Sequence, residues 1–124
     1  MNDIKLGNIF KRALAIEDSE DVGEMYKDFF DSEGLALDLV CSVSQVSEIE
    51  KYDLLICDWL LGRGTAKKWL MDMKQLKKLP KVVIIITGMV DIEMEVHDLP
   101  CLVIYKPFEF TALKEEILKL KLIQ

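Results

Sequence analysis

A doubly wound α/β sandwich built on a parallel sheet is the fold this 124-residue sequence predicts, and three observations carry the prediction. Short apolar runs that do not alternate, as parallel strands covered on both faces tend to be, recur along the chain. Segments with the apolar spacing of helices separate them. Four of the runs stop on a reactive side chain: Glu17-Asp18 after ALAI, Asp58 after LLIC, Thr87 after VVIII and Lys106-Pro107 after LVIY. In an open parallel sheet such groups gather at one edge, outside the carboxyl ends of the strands.

Each element has its own justification. After a polar leader (1–11), residues 13–16 read as the first buried strand. Val22, Met25, Tyr26, Phe29 and Phe30 follow at i, i+3, i+4, i+7 and i+8, one helical stripe, and Gly34 supplies a C-terminal stop. A strand is expected over 35–40. Next comes a barely two-turn helix in which Ser42 and Gln45 have capping-box spacing and Val43, Val46 and Ile49 face inward. Residues 52–57 form the third strand. Gly62 and Gly64 open a loop before a helix that carries Ala66, Trp69, Leu70 and Met73 on one stripe, and Pro80 closes it. Five β-branched residues in succession, Val82 to Ile86, make the clearest strand. A weak fourth helix over 91–99 precedes a fifth strand over 102–105. The last helix begins at Thr111, a natural N-cap, with Leu113, Ile117 and Leu120 inward. No repeat, low-complexity tract or linker interrupts the chain, so residues 1–124 read as one domain.

Composition narrows the function classes. A hydrophobic content of 51% is ample for a core without disulfides or a structural metal. No apolar stretch approaches the roughly 20 residues a membrane helix needs, and the N-terminus lacks a signal-peptide apolar segment, so a cytoplasmic address without membrane contact is expected. A net charge of -6 argues against direct nucleic-acid binding, which draws on clustered cations. Lys67, Lys68, Lys74, Lys77 and Lys78 fall in one segment, a solvated helix face or a docking patch for an acidic partner. Cys41, Cys57 and Cys101 are odd in number and set in apolar surroundings, which suits reduced buried thiols. His97, the only histidine, has no ligand pattern around it and reads as surface.

The strand-end groups each have an ordinary reading. Asp18 could be a helix N-cap with Asp21 in the first turn. Asp58 could cap a loop, Thr87 could serve a turn, and Lys106 before Pro107 could be a surface bend. Together they make a phosphoryl-transfer site. Glu17, Asp18 and Asp58 would repel one another unless a cation lay between them, and a small hard cation such as Mg²⁺ takes one or two carboxylates plus waters and phosphate oxygens. An aspartate can accept a phosphoryl group, a hydroxyl can donate to it, and an ammonium can pair with its oxygens.

With Glu17-Asp18, Asp58, Thr87-Gly88 and Lys106-Pro107-Phe108 in that order on strand ends, nearly the whole chain resembles the receiver domain of two-component response regulators. The resemblance implies a flavodoxin-like five-stranded parallel sheet of order 2-1-3-4-5 with helices on both faces. It implies that Asp58 is phosphorylated by a sensor histidine kinase or a histidine phosphotransfer protein. Glu17, Asp18, Asp58 and the main-chain carbonyl of Leu60 would hold Mg²⁺, Thr87 would sense the phosphoryl group, and Lys106 would contact it. The added charge at Asp58 is then the switch, relayed by reordering the loop after the fourth strand.

The chain also departs from that family. Asp58-Trp59-Leu60-Leu61-Gly62-Arg63-Gly64 lacks the usual proline and is short. The stretch from Thr87 to Lys106 is short too, without Gly-Ala before the fifth strand, so the fourth helix is expected to be curtailed. The aromatic switch position is Val103, while Tyr105 is aromatic but, being next to Lys106, points to the face opposite Lys106 if the strand alternates. Leu60 and Met89, two residues beyond Asp58 and Thr87, are apolar and offer nothing to orient an attacking water, so slow self-dephosphorylation without further enzymatic activity is expected.

The leading reading is a stand-alone receiver that signals by phosphorylation-dependent contact with a downstream protein, a reading that leaves room for a homodimer. A phosphorylation-independent pseudo-receiver, acting purely as an interaction module, is the alternative. An aspartate-nucleophile phosphatase ranks below both, because Glu17-Asp18-Ser19-Glu20 lacks the Asp-x-Asp pattern that family carries after its first strand.

Overall fold

In the computed structural model, which describes residues 4–122, the five apolar runs become one parallel sheet. Its strands are β1 (Arg12–Ile16), β2 (Ala36–Val40), β3 (Leu54–Asp58), β4 (Val82–Thr87) and β5 (Leu102–Tyr105). The spatial order is β2-β1-β3-β4-β5, as the resemblance implied. Ile16 pairs with Cys57, Asp58 with Ile86 and Thr87 with Tyr105, so the residues that follow these strands line one edge.

Four helices cover the sheet: α1 (Glu20–Ser32), α2 (Lys67–Gln75), α3 (Glu93–Val96) and α4 (Phe110–Leu122). Strand residues alternate between two cores, which is why the central runs are apolar at every position. Ala13, Ala15, Ile56 and Ile84 pack with Tyr26 and Phe30 of α1 and Leu113 and Ile117 of α4. Leu14, Leu55, Val83 and Ile85 pack on the other face with Leu70 of α2 and with Ile92 and Val96 beside and within α3. The curtailment expected between the fourth and fifth strands is present, since α3 is a single turn.

The ends of α1 follow local chemistry. The Ser19 hydroxyl accepts the Val22 N–H at 3.3 Å and caps the helix, so Asp18 is not the N-cap and its carboxylate stays outside the helix. Gly34 adopts φ +67° while its N–H donates to Asp31 O and the Leu35 N–H donates to Phe30 O, a Schellman ending.

Several expectations are corrected. Met25 does not join the inward stripe; it is 54% exposed, and Gly23 takes the buried position, against Leu39. The helix expected after β2 is two separate 3₁₀ turns, Val43–Gln45 and Ile49–Lys51. Ser42 pairs with Ser44 instead of capping, the Gln45 side chain turns back to accept the Cys41 N–H, and Glu48 is left-handed at φ +48°. Alternating serine and valine compete with helix through such local bonds and through lost rotamer freedom. Helix α2 ends ahead of Pro80: Lys77 at φ +60° and the bond from Lys78 N–H to Met73 O form its own Schellman turn. Thr111 lies inside α4, which starts at Phe110. Cys41 is exposed, whereas Cys57 is buried and Cys101 half-buried. The leader is not wholly polar in its packing, because Leu6 and Phe10 are buried in the α1–α4 core.

Candidate functional site

Three carboxylates meet at the strand-end edge. Glu17 follows β1, Asp58 ends β3, and Asp18 lies in the loop leading to α1. One oxygen from each lies within 4.8 Å of the others. Glu17 and Asp58 are buried, at 4% and 6% exposure, and Asp18 is exposed. Glu17 Oε2 accepts the Ser19 N–H at 3.0 Å. Its other oxygen, Oε1, is buried without a hydrogen-bond partner among the described residues. Native proteins seldom leave such an atom orphaned, and a cation at this place would satisfy it.

The counter-charge comes from Lys106, whose Nζ is 3.4 Å from Asp58 Oδ2. The same ammonium also acts on Glu17 electrostatically, so one cation is set against two buried carboxylates. Burial raises the Asp58 carboxyl above its ordinary value, with Lys106 pulling the other way and Asp18 adding to the rise. Burial likewise raises Glu17, opposed by the Ser19 N–H and reinforced by Asp58. Both therefore sit in a site that disfavours their own charge and would gain from a cation. Clustered carboxylate oxygens, open to water on the Asp18 side, fit a small hard divalent ion that keeps part of its hydration shell.

Thr87 is buried, and its Oγ1 accepts the Met89 N–H at 2.9 Å. Its carbonyl accepts the Lys106 N–H at 2.7 Å, which joins the threonine and lysine positions through the backbone. Thus the structure shows a turn bond for Thr87 and an ion pair for Lys106. Met89, Val90 and Met94 are all exposed, at 43%, 77% and 78%. Val103 packs in the core shared with α2 and α3. Tyr105 reaches α3 instead, where its hydroxyl donates to Glu93.

The loop after Asp58 contains a feature the sequence did not disclose. Trp59 is buried beneath it, Leu60 pairs with Thr65, Leu61 pairs with Gly64, and Gly62-Arg63 closes a two-residue hairpin. Gly62 has φ +61° at the first central position, where a type II′ turn favours glycine and, after it, asparagine or aspartate. The Ala66 N–H donates to Trp59 O at 2.9 Å. Antiparallel alternation then makes Leu60–Thr65 the non-bonded pair and turns the Leu60 carbonyl away from Thr65. The hairpin touches the acidic cluster directly, for the Gly62 N–H donates to Asp18 Oδ2 at 3.2 Å. Two glycines flanking a single residue were the available signal, and they read only as a loop.

No protein-family model matches the sequence, and no curated protein matches it. Solved structures do. The receiver domain of TorR, the response regulator of the TMAO respiratory system, superposes with a TM-score of 0.76 at 17% identity, covering 89% of this chain and 95% of that one. The chemotaxis protein CheY4 of Vibrio cholerae gives 0.74 at 16% identity, covering 88% and 97%. The HemR receiver domain from Leptospira biflexa gives 0.72 at 25% identity, covering 89% and 90%. The chain has the fold of response-regulator receiver domains. Among the described residues, no helix is long and apolar enough to cross a membrane.

Proposed function

We propose that the chain is a phosphoacceptor: Asp58 takes a phosphoryl group from a sensor histidine kinase or a histidine phosphotransfer protein in the cytoplasm. The observation that carries this reading is the buried Asp58 carboxylate, 3.4 Å from the Lys106 ammonium and grouped with Glu17 and Asp18 at the sheet edge. An Asp58 oxygen attacks phosphorus, the N–P bond of the phosphoimidazole breaks, and its electron pair returns to the ring nitrogen, which takes a proton from solvent. Lys106 pairs with the oxygens of the group in flight and holds it in place afterwards. Glu17, Asp18, Asp58 and the Leu60 carbonyl would hold Mg²⁺, which when bound offsets the charge on the phosphoryl oxygens.

The phosphorylated side chain carries close to two negative charges where the carboxylate carried one, and Lys106, already paired with Asp58, is placed to meet them. Thr87 then exchanges its Met89 bond for one to the phosphoryl group. That exchange reshapes the loop bearing the exposed Met89 and Val90 ahead of α3 and so alters an apolar surface that a downstream protein reads. The Tyr105–Glu93 bond ties this surface to the residue before Lys106, in place of an aromatic switch at Val103. The receiver domain of NtrC4 forms a beryllofluoride-activated dimer, and a homodimer is one form such an output could take here. The protein has no further enzymatic activity beyond slow loss of its own phosphoryl group.

The assignment to Asp58 is tested by borohydride reduction of the phosphorylated protein, which converts an aspartyl phosphate to homoserine, followed by peptide mapping. Homoserine at position 58 is the expected result; modification elsewhere, or none, contradicts it.

A further inference from the structure

The hairpin after Asp58 reaches back across the site, and its contact with Asp18 is the one bond by which the chain orients that carboxylate among the described residues. Asp18 is exposed, and Ser19 has taken the capping role, so nothing in α1 restrains it. An exposed aspartate left alone samples several rotamers, and a ligand that must be ordered on binding weakens the site. The Gly62 N–H removes that freedom by holding one oxygen at 3.2 Å. The amide is itself held by the turn: Leu61 pairs with Gly64, and Gly62 stands at φ +61°.

We propose that the Gly62 N–H is a positioning group for the metal site, an outer partner that fixes Asp18 in its ligating orientation and stays bonded when the ion is bound. The inference rests on the reading of Glu17, Asp18 and Asp58 as the cation ligands. It gives the shortened, proline-free loop a role, because the two-residue turn delivers an amide to Asp18.

Gly62 suits substitution because an added Cβ meets nothing within 4 Å. A change there acts through the backbone conformation and not through crowding. Gly62→Val places a β-branched residue where φ is positive and displaces the amide, whereas Gly62→Asn uses the non-glycine residue that most readily adopts positive φ and retains it.

The test is Mg²⁺ titration of the full chain, followed by Trp59 fluorescence in a Trp69→Phe background, with circular dichroism to establish that each variant is folded. Loss of such an outer partner typically weakens metal binding by 10-fold or more, so Gly62→Val is expected to raise the Mg²⁺ Kd roughly tenfold, and Gly62→Asn to stay within about threefold. Amide exchange in the unsubstituted protein gives a second measurement: the Gly62 N–H is expected to remain protected at saturating Mg²⁺. A Gly62→Val variant that binds Mg²⁺ as the parent does, or rapid Gly62 exchange in the loaded state, overturns the inference and leaves the metal site standing. Failure of the parent itself to bind Mg²⁺ overturns both.

Discussion

Lys106 Nζ stands 3.4 Å from Asp58 Oδ2, joining a lysine side chain that is 36% exposed to an aspartate side chain that is 8% exposed. The pair is uneven, since Asp58 bears the desolvation while Lys106 keeps much of its water. Truncating the lysine therefore leaves a buried carboxylate without its nearest cation and an incoming phosphoryl group without a donor. Lys106→Ala is expected to slow phosphorylation of Asp58 by about tenfold or more, without loss of the fold, in a time course with a small phosphodonor.

Glu17 links stability to pH in a definite direction. Its folded carboxyl is raised by burial and by Asp58 from an ordinary value of 4.5. A raised carboxyl contributes stability below its unfolded value and loses it as pH rises through the folded value. The metal-free protein is thus strained at this residue at pH 7. Glu17→Gln is expected to melt a few degrees higher than the parent at pH 7 without Mg²⁺, the difference vanishing below about pH 4.5, and to bind Mg²⁺ far more weakly. Thermal melts across pH and a Mg²⁺ titration check both halves.

Asp38 behaves oppositely. Arg12 binds it with two hydrogen bonds, of 3.0 and 2.7 Å, and Tyr52 donates a third, which hold its carboxyl below the ordinary value of 3.8. Its stabilisation is present above that value and is lost as pH falls through the folded one. Because both partners are partly exposed, Asp38→Asn is expected to cost about 1 kcal/mol at pH 7. The cost should shrink below pH 3.8 in denaturant melts.

Gly7 ties the leader to the end of α1. Its N–H donates to Glu33 O at 2.9 Å, and a Cβ there would lie 2.1 Å from the Gly34 carbonyl oxygen. Backbone cannot yield as a flexible side-chain end can. Gly7→Ala is expected to destabilise the fold by about 2–3 kcal/mol in urea unfolding.

The sheet was legible because burial on both faces leaves continuous apolar strands, and because four of them end on groups that an apolar core excludes. Val82–Thr87 is the plainest case. Strand order was not legible, since periodicity describes each run and not its neighbour; it came from the resemblance and is matched by the register. Helices were legible where an apolar stripe met a strong local stop, as from Tyr26 to Gly34. They failed where side chains bonded their own backbone, as at Ser42 to Gln45. Composition also obscured the leader, whose buried Leu6 and Phe10 are set among Lys5, Asn8, Lys11 and Arg12. The acidic cluster could be named from strand ends alone. The Gly62–Asp18 bond could not, because 44 residues separate the partners and only the tertiary fold joins them.

The measurement that bears most directly on the phosphoacceptor reading is intact mass after incubation with a small acyl phosphate, with Mg²⁺ and with a chelator, for the parent protein and for Asp58→Ala. One phosphoryl group added to the parent, dependent on Mg²⁺ and absent from Asp58→Ala, is the predicted result. A folded parent that takes up none in excess Mg²⁺, or a variant that is labelled equally, would contradict it and favour an interaction module that works without phosphorylation.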